Sequence, residues 1–404
     1  MLTKPDYGEA RALLLARTQP LDTERVPLDS CAARVLAEDL LAAEDVPSFD
    51  RSPYDGYAFR AADTAEASRE HPVTLRITEE IAAGKVPTRP VTAGTAAKIL
   101  TGAPIPEGAD AVCMFEKTSF TAESVTLYSP ARPGENIVRR GEDVQSGTVL
   151  ARVGDRIDAG IAGTLAAQGL CFPLVFRRPK VGLISTGDEV READAPPEAG
   201  KIRNTNRHML AAALQREGFE PLYLGLAGDD IGHIAALIEA GAAACDAVIL
   251  TGGVSVGDYD LTPAAMEQCG CEMLFRGVEL KPGMACAYGL LKGKLVCGLS
   301  GNPASSLTNY YMLALPALKR LAGRRDAVPE EITLTLRDDF GKKSPATRVL
   351  RGWLDLTDGT AGLRIPADQG NVVLSSAIGC SALAIVPAGS GKLEAGTKLK
   401  GFVL

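Results

Sequence analysis

The chain has 404 residues, too many for one ordinary hydrophobic core, so two to four domains are expected. Hydrophobic residues make up 46% and charged residues 23%, the proportions of a soluble globular protein. A formal net charge of -7 argues against sequence-independent nucleic-acid binding, which needs a basic face, but not against a small anion held in one local pocket.

In chain order, Asp6 to Arg17 reads as a short amphipathic helix with Ala10, Leu13 and Leu14 on one side. Val26 to Ala43 is mixed, and Asp45 to Pro53 is a loop rich in proline and polar residues. Between Val73 and Phe120 the pattern predicts short strands punctuated by turns. Arg132 to Leu150 is Gly-rich and charged and should return the chain to the mixed region. Predicted strands at Val181–Ile184, Leu222–Leu226 and Ala247–Leu250 then alternate with helices over Asn206–Glu217, Gly228 to about Ala243, and up to Gln268. Gly218 is the predicted cap after the first of these helices. Further strands are expected at Glu272–Leu280, Cys286–Leu290 and Leu295–Gly298, before a long apolar helix from Gly301-Asn302-Pro303 to Leu321. Strand, loop and helix in repetition predict a parallel sheet with helices on both faces. The tail predicts a small β-rich domain, with strands at Ile332–Leu336, Arg348–Leu354 and Ala382–Val386.

The nine cysteines are scattered and form no C-x-x-C pair, so they read as reduced, mostly buried thiols of a cytosolic protein rather than zinc ligands. The first residues lack the apolar core of a signal peptide. The richest apolar stretch, Ile231 to Leu250, is broken by Glu239 and Asp246, so no membrane span is expected.

In an open α/β sheet, ligands bind at the carboxyl ends of the strands. There the sequence places Asp188 and Glu189, then Asp229 and Asp230, then Gly252, Gly253, Ser255, Asp258 and Asp260, and finally Lys281, Gly283, Gly301, Asn302 and Pro303. The Thr251–Asp258 loop joins a strand to a helix, and its glycines permit close backbone approach to an anion or simply a tight turn. Pro303 suits a first helical position and leaves the N–H groups of Ala304 and Ser305 exposed. Acids beside a phosphate site require a cation between them, and magnesium fits. For Asp229 and Asp230 helix capping is the stronger reading, whereas Asp188 and Glu189 read as functional. Gly253-Val-Ser255-Val-Gly257 spells a hydrolase nucleophile elbow, but His71, His208 and His233 all precede it, so a triad of that order is excluded.

Several motifs lie in one order along nearly the whole chain. They are Ser52 to Ala58 with Asp55-Gly-Tyr-Ala, Thr101 to Asp110, Gly134 to Asp143, and Pro179 to Val190 with Ser185-Thr186-Gly187-Asp188-Glu189. Thr251 to Asp260, Lys281-Pro-Gly283 and Gly298 to Ser305 complete the set. In series these resemble the MoeA-like molybdopterin molybdenumtransferases.

The resemblance implies a multidomain α/β plus β fold in four domains. These are a mixed linker domain (23–47 with 145–176), a β-rich insert (48–144), a three-layer, doubly wound α/β molybdopterin-binding domain (1–22 with 177–325), and a C-terminal β-barrel-like domain (326–404). It implies a cytoplasmic homodimer whose active site lies between the α/β domain of one subunit and the insert of the other. The implied reaction takes adenylylated molybdopterin and molybdate with Mg2+ and releases AMP. Asp188, Glu189, Asp229, Asp258 and Asp260 would hold magnesium or nucleotide. Ser185, Thr186, Gly187, Gly252, Gly253, Ser255, Gly257, Gly301, Asn302 and Pro303 would bind the pterin substrate. Asp55, Thr101 and Asp143 would close the cleft, and Lys281 would attract molybdate. A molybdopterin adenylyltransferase and acceptor molybdoenzymes would be the protein partners.

The chain departs from the family pattern at Met284 and Pro263, where lysines are common, at Ser300, at Asn204 in place of an acid, and at Asn371. The lost lysines motivate a rival reading, a pterin-binding carrier or scaffold without chemistry. A third reading, molybdopterin adenylyltransferase, is opposed by the additional domains.

Overall fold

The computed structural model describes residues 1–255 and 261–404, in two compact units. One comprises Met1–Glu38, Val153–Ala159 and Phe172–Leu404; the other comprises Asp39–Arg152 and Gly160–Cys171.

The first unit is built on a seven-stranded sheet. Its order is Leu2–Thr3, Glu272–Arg276, Cys286–Leu291, Lys294–Leu299, Ala247–Thr251, Lys180–Thr186 and Glu220–Ala227. The last four run parallel. The sheet as a whole is mixed, which corrects the expectation of a parallel sheet: Cys286–Leu291 is antiparallel to both neighbours. The reason is local. Only Lys292 and Gly293 join it to the next strand, both with positive φ (53° and 80°), and a two-residue link makes a hairpin, not a crossover. The predicted strand Glu272–Leu280 stops at Arg276, where Gly277 turns with φ 67°.

Ala247–Thr251 shows why the central strands are apolar without interruption. Ala247 and Ile249 face a core shared with the helices Tyr7–Arg17 and Thr205–Arg216 and with the helical run that begins at Pro303. Val248 and Leu250 face a second core, against Ile231–Ala244 and Thr262–Gln268. With both faces covered, Ala247 to Leu250 leave no place for a polar residue, and Thr251 comes only at the carboxyl end. The run from Pro303 is Pro303–Asn309, a π-type turn at Tyr310–Ala314, and Leu315–Leu321. The wide turn ends just before Pro316, which has no N–H to continue the ladder.

In the tail, five strands close into a barrel: Ile332–Leu336, Gly362–Arg364, Arg348–Asp355, Ala382–Val386 and Lys398–Val403. Three of these were predicted. The other two are the three-residue Gly362–Arg364 and Lys398–Val403, where exposed lysines flank the buried Leu399.

The second unit carries a six-stranded sheet in the order Ala111–Met114, Gly56–Phe59, Thr95–Ile99, Val73–Ile81, Ser124–Leu127 and Thr118–Phe120. Tyr57, Phe59, Ala96 and Leu127 form part of its core. No helix among the described residues is long and apolar enough to cross a membrane.

The amino ends of the Lys180–Thr186 and Ala247–Thr251 strands are locked by one acid. Asp246 takes two hydrogen bonds from the Arg177 guanidinium (2.9 and 2.7 Å) and one from the Lys180 N–H (2.8 Å). Burial pushes its carboxyl up, but these donors outweigh burial and hold it below the usual carboxylate range. The folded state therefore binds this proton less readily than the unfolded chain. The resulting stabilisation is complete above the unfolded value of about 3.9 and is lost as pH falls through the folded value. Asp246→Ala should lower unfolding free energy by about 3 kcal/mol at pH 7. In urea melts the gap to wild type should narrow below about pH 4.

Candidate active site at the carboxyl edge of the large sheet

Two glycine loops meet where the parallel strands end. After Ala247–Thr251 the chain turns at Gly252 (φ 107°) and Gly253 (φ 60°). A side chain at residue 252 would lie 2.5 Å from Thr186 Oγ1 and 2.7 Å from the Thr186 carbonyl oxygen. The Thr186 hydroxyl donates to the Thr251 carbonyl (3.2 Å), and the Thr262 hydroxyl donates to the Gly252 carbonyl (2.8 Å). The Gly252 N–H donates to the Leu299 carbonyl at the end of the neighbouring strand (3.0 Å). A Cβ at Gly301 would stand 3.6 Å from Gly252 Cα, so the two loops lie side by side.

Beside them opens a cavity of about 330 Å³. Ser185, Thr186, Glu189, Thr251, Gly301, Asn302 and Pro303 line it, all expected from the sequence. Asn204 and Asn206 line it as well. Asn204 is the N-cap of the Thr205–Arg216 helix: its Oδ1 accepts from the Arg207 N–H (3.3 Å) and from the Ser185 hydroxyl (3.0 Å). The asparagine thus fills the capping role that an acid commonly has, without its charge. The Asn206 Nδ2 donates to the Gly301 carbonyl (2.8 Å), while its buried Oδ1 has no partner.

A polar network stiffens this wall. The Asn204 Nδ2 donates to the Tyr223 hydroxyl (3.3 Å), which itself donates to Glu192 (2.5 Å). Arg207 bonds Glu192 (2.6 Å) and lies over the Tyr223 ring, 3.8 Å from its centroid. Burial, then the adjacent Glu192 carboxylate, pushes the Tyr223 hydroxyl well above its ordinary value, so it stays a proton donor. Burial raises the Glu192 carboxyl, but the Tyr223 and Arg207 donors outweigh it and hold it low. Sequence reading missed Glu192, Arg207 and Tyr223. Their partners are 15 and 31 residues apart in the chain, and no local pattern marks them.

The other predicted residues fall as follows. Gly187 (φ 125°) permits the tight turn in which a Cβ would strike the Glu189 carboxylate. Asp188 Oδ1 accepts from the Asp229 N–H (3.1 Å), and Gly228 leaves room for it, since a Cβ there would lie 2.6 Å away. Asp230 caps the Ile231–Ala244 helix through the His233 N–H (2.6 Å), as the capping reading expected. Lys281 does not line the cavity. Its backbone is held by the Thr347 carbonyl (2.9 Å) and the Val349 N–H (2.9 Å), and its side chain is exposed. The Gly283 carbonyl after it is fixed by Asn309 Nδ2 (2.8 Å). Ser255 is exposed, while Gly257, Asp258 and Asp260 lie outside the described residues. Asp55, Thr101 and Asp143 belong to the second unit. There Asp55 Oδ1 accepts from both the N–H (2.7 Å) and the hydroxyl (2.8 Å) of Thr101, which hold its carboxyl below the usual range. Asp143 is exposed, and its N–H donates to the Val46 carbonyl (3.0 Å).

Among the described residues no three His, Cys, Asp or Glu side chains are grouped to hold a metal. Magnesium needs fewer, being held by one or two carboxylates together with waters and substrate phosphates. The seated carboxylate of Asp188, next to the exposed Asp229, matches that donor chemistry. Gly252→Ala should lower stability by about 2 kcal/mol or more, from positive φ and from the collision with Thr186. Denaturant melts check it, and an unchanged midpoint would contradict this account of the loop.

The sequence matches two family descriptions, "MoeA N-terminal region (domain I and II)" over residues 6–169 and "Probable molybdopterin binding domain" over residues 182–320. It is 39% identical to the molybdopterin molybdenumtransferase of Bacillus subtilis over 93% of this chain and 88% of that protein. It is 36% identical to that of Staphylococcus aureus strain COL over 92% and 88%. Its fold is similar to the crystal structure of the molybdopterin biosynthesis MoeA protein from Pyrococcus horikoshii, with a TM-score of 0.85, 32% identity, and coverage of 99% and 100% of the two chains. With glycine loops and cleft where the sequence motifs fall, and with relatives this similar over this much of its length, the chain belongs to the molybdopterin molybdenumtransferase (MoeA) family.

Proposed function

We propose that this transferase inserts molybdenum into molybdopterin, taking adenylylated molybdopterin and molybdate with Mg2+ and releasing AMP. The observation that carries the reading is the cleft itself. Ser185, Thr186 and Thr251 at the strand ends and Gly301, Asn302 and Pro303 at a helix start line one ligand-sized space together with Glu189. These hydroxyl, amide and backbone groups give the N–H and carbonyl edge of a pterin its partners.

The substrates set the electrostatic problem. A dithiolene must meet a doubly charged oxyanion close to a pyrophosphate, so positive charge and N–H donors have to stand between them. We assign the pterin and its phosphate to Ser185, Thr186, Gly252, Gly253, Ser255, Gly301, Asn302 and Pro303, with Gly187, Gly257 and Asp258 in the same loops. Asp188, Asp229 and Asp260, with Glu189, would hold Mg2+. The ion supplies charge neutralisation at the phosphates. Lys281 would draw molybdate by its point charge. In a cytoplasmic homodimer, Asp55, Thr101 and Asp143 of the second subunit would complete the site. The four-domain division over 1–22 with 177–325, 23–47 with 145–176, 48–144 and 326–404 belongs to the same proposal.

One observation favours the rival carrier reading. Met284, where the family commonly has lysine, is 41% exposed, so one cation is absent from the surface beside Lys281. The two readings separate by chemistry. Glu189→Ala should leave the unfolding midpoint near wild type, because the side chain is exposed and buries no core. Molybdenum recovered on the pterin should fall at least about 100-fold, as for a lost transition-state contact. Full insertion by this variant would remove Glu189 from the mechanism. Pterin binding without insertion by the wild type would favour the carrier.

A further inference from the structure

The turn Lys281-Pro282-Gly283 is held from both ends. Lys281 is paired through its backbone to the barrel, by the Thr347 carbonyl and the Val349 N–H. Gly283 is held from the other side by a side chain, Asn309, whose Nδ2 donates to the Gly283 carbonyl (2.8 Å). Pro282 and Gly283 are buried, while Lys281 and Met284 on either side of them are exposed. The cation therefore stands in solvent on a turn whose backbone is fixed.

Asn309 needs a reason to be where it is. It ends the Pro303–Asn309 helix, which is buried from Ala304 onward, and it is itself 0% exposed. A buried amide costs stability unless it is paired, and a leucine of similar volume would not. Its hydrogen bonds supply the reason. A carbonyl can only accept, so Gly283 fixes Nδ2 toward the turn and leaves Oδ1 to the Tyr288 hydroxyl, which donates to it (2.5 Å). Tyr288 is fully buried and stacked on Phe275, with ring centroids 4.9 Å apart. Burial pushes its hydroxyl well above its ordinary value, so it stays a donor. One amide thus joins a sheet strand, a helix and the turn.

The helix that carries Asn309 also begins at the cleft, where Gly301, Asn302 and Pro303 line the cavity. Pro303 and Asn309 are six residues apart, about 9 Å along the axis. The turn lies against this same stretch: a Cβ at Gly283 would stand 3.4 Å from both the Ser305 carbonyl oxygen and the Asn309 Cβ. One short helix therefore sets the distance between the cleft wall and the lysine turn.

We propose that Asn309 is a positioning residue for the transferase: by holding the Gly283 carbonyl, it keeps Lys281 at a fixed distance from the pterin loop, so that the captured oxyanion meets the dithiolene. The proposal rests on the molybdate role of Lys281 assigned above. Without Asn309 the turn gains conformations that molybdate binding must freeze out, so affinity for the oxyanion falls while the pterin loops are untouched.

The test titrates molybdate at saturating adenylylated molybdopterin and Mg2+ and follows molybdenum insertion by the full chain. Asn309→Leu should raise the half-saturating molybdate concentration at least about tenfold, with the saturating rate within about threefold of wild type and pterin affinity unchanged. Tyr288→Phe, a milder change that keeps the ring, should shift it less and in the same direction. Lys281→Ala should raise the same concentration, and adding Asn309→Leu to it should change nothing further, because both act through one charge. Hydrogen exchange adds a readout without chemistry: amides of residues 278–286 should exchange faster in Asn309→Leu, and those of Lys180–Thr186 as in wild type. A uniform loss of pterin affinity, saturating rate and exchange protection would make Asn309 a core residue only and overturn the proposal. A shift in Lys281→Ala with none in Asn309→Leu would overturn it alone. No shift in either, or no insertion by the wild type, would remove molybdate capture from Lys281 and the proposal with it.

Discussion

The turn at Gly252, packed against Thr186, governs the rest of the site. Two parallel strands end side by side; a side chain at residue 252 would collide with Thr186, while a Cβ at residue 301 would lie in ordinary contact with the Gly252 Cα. Thr186 and Thr262 tie the first loop down with their hydroxyls, and Asn206 ties down the second. The cleft beside the loops therefore has a wall of backbone and small polar side chains. Such a wall can come close to a flat, polar, anionic ligand, which bulkier side chains would hold off.

The sheet's two edges are specialised by the same directionality. At the carboxyl edge lie glycine turns, exposed acids and cap residues. At the amino edge, arginines are concentrated around the ends of two helical segments. Asp246 locks two strand starts there through Arg177 and Lys180, so the edge that gathers these arginines also fixes strand register. The overall charge of -7 hides this local excess.

Much of this was legible in the sequence, because the signals were local. Apolar runs bounded by glycine marked the central strands, and Gly252, Gly253, Gly301, Asn302 and Pro303 fell at the carboxyl edge because each follows such a run. The capping role of Asp230 was legible for the same reason. What depended on long-range pairing was not. The Asn204–Tyr223–Glu192–Arg207 network joins residues that only the fold brings together. Lys281 sits in a legible Lys-Pro-Gly turn, but its place outside the cavity follows from backbone pairing with Thr347 and Val349, some 66 residues on. One local signal was passed over as well: the two-residue link Lys292-Gly293 requires a hairpin, and so an antiparallel strand, where the repetition of strand and helix was read as parallel throughout.

The most direct test of the transferase reading is adenylate release. Purified protein is given adenylylated molybdopterin and Mg2+, with and without molybdate, and the nucleotide is followed by chromatography. Release of AMP that depends on molybdate is the result this account predicts. Tight pterin binding with no AMP released under either condition would contradict it.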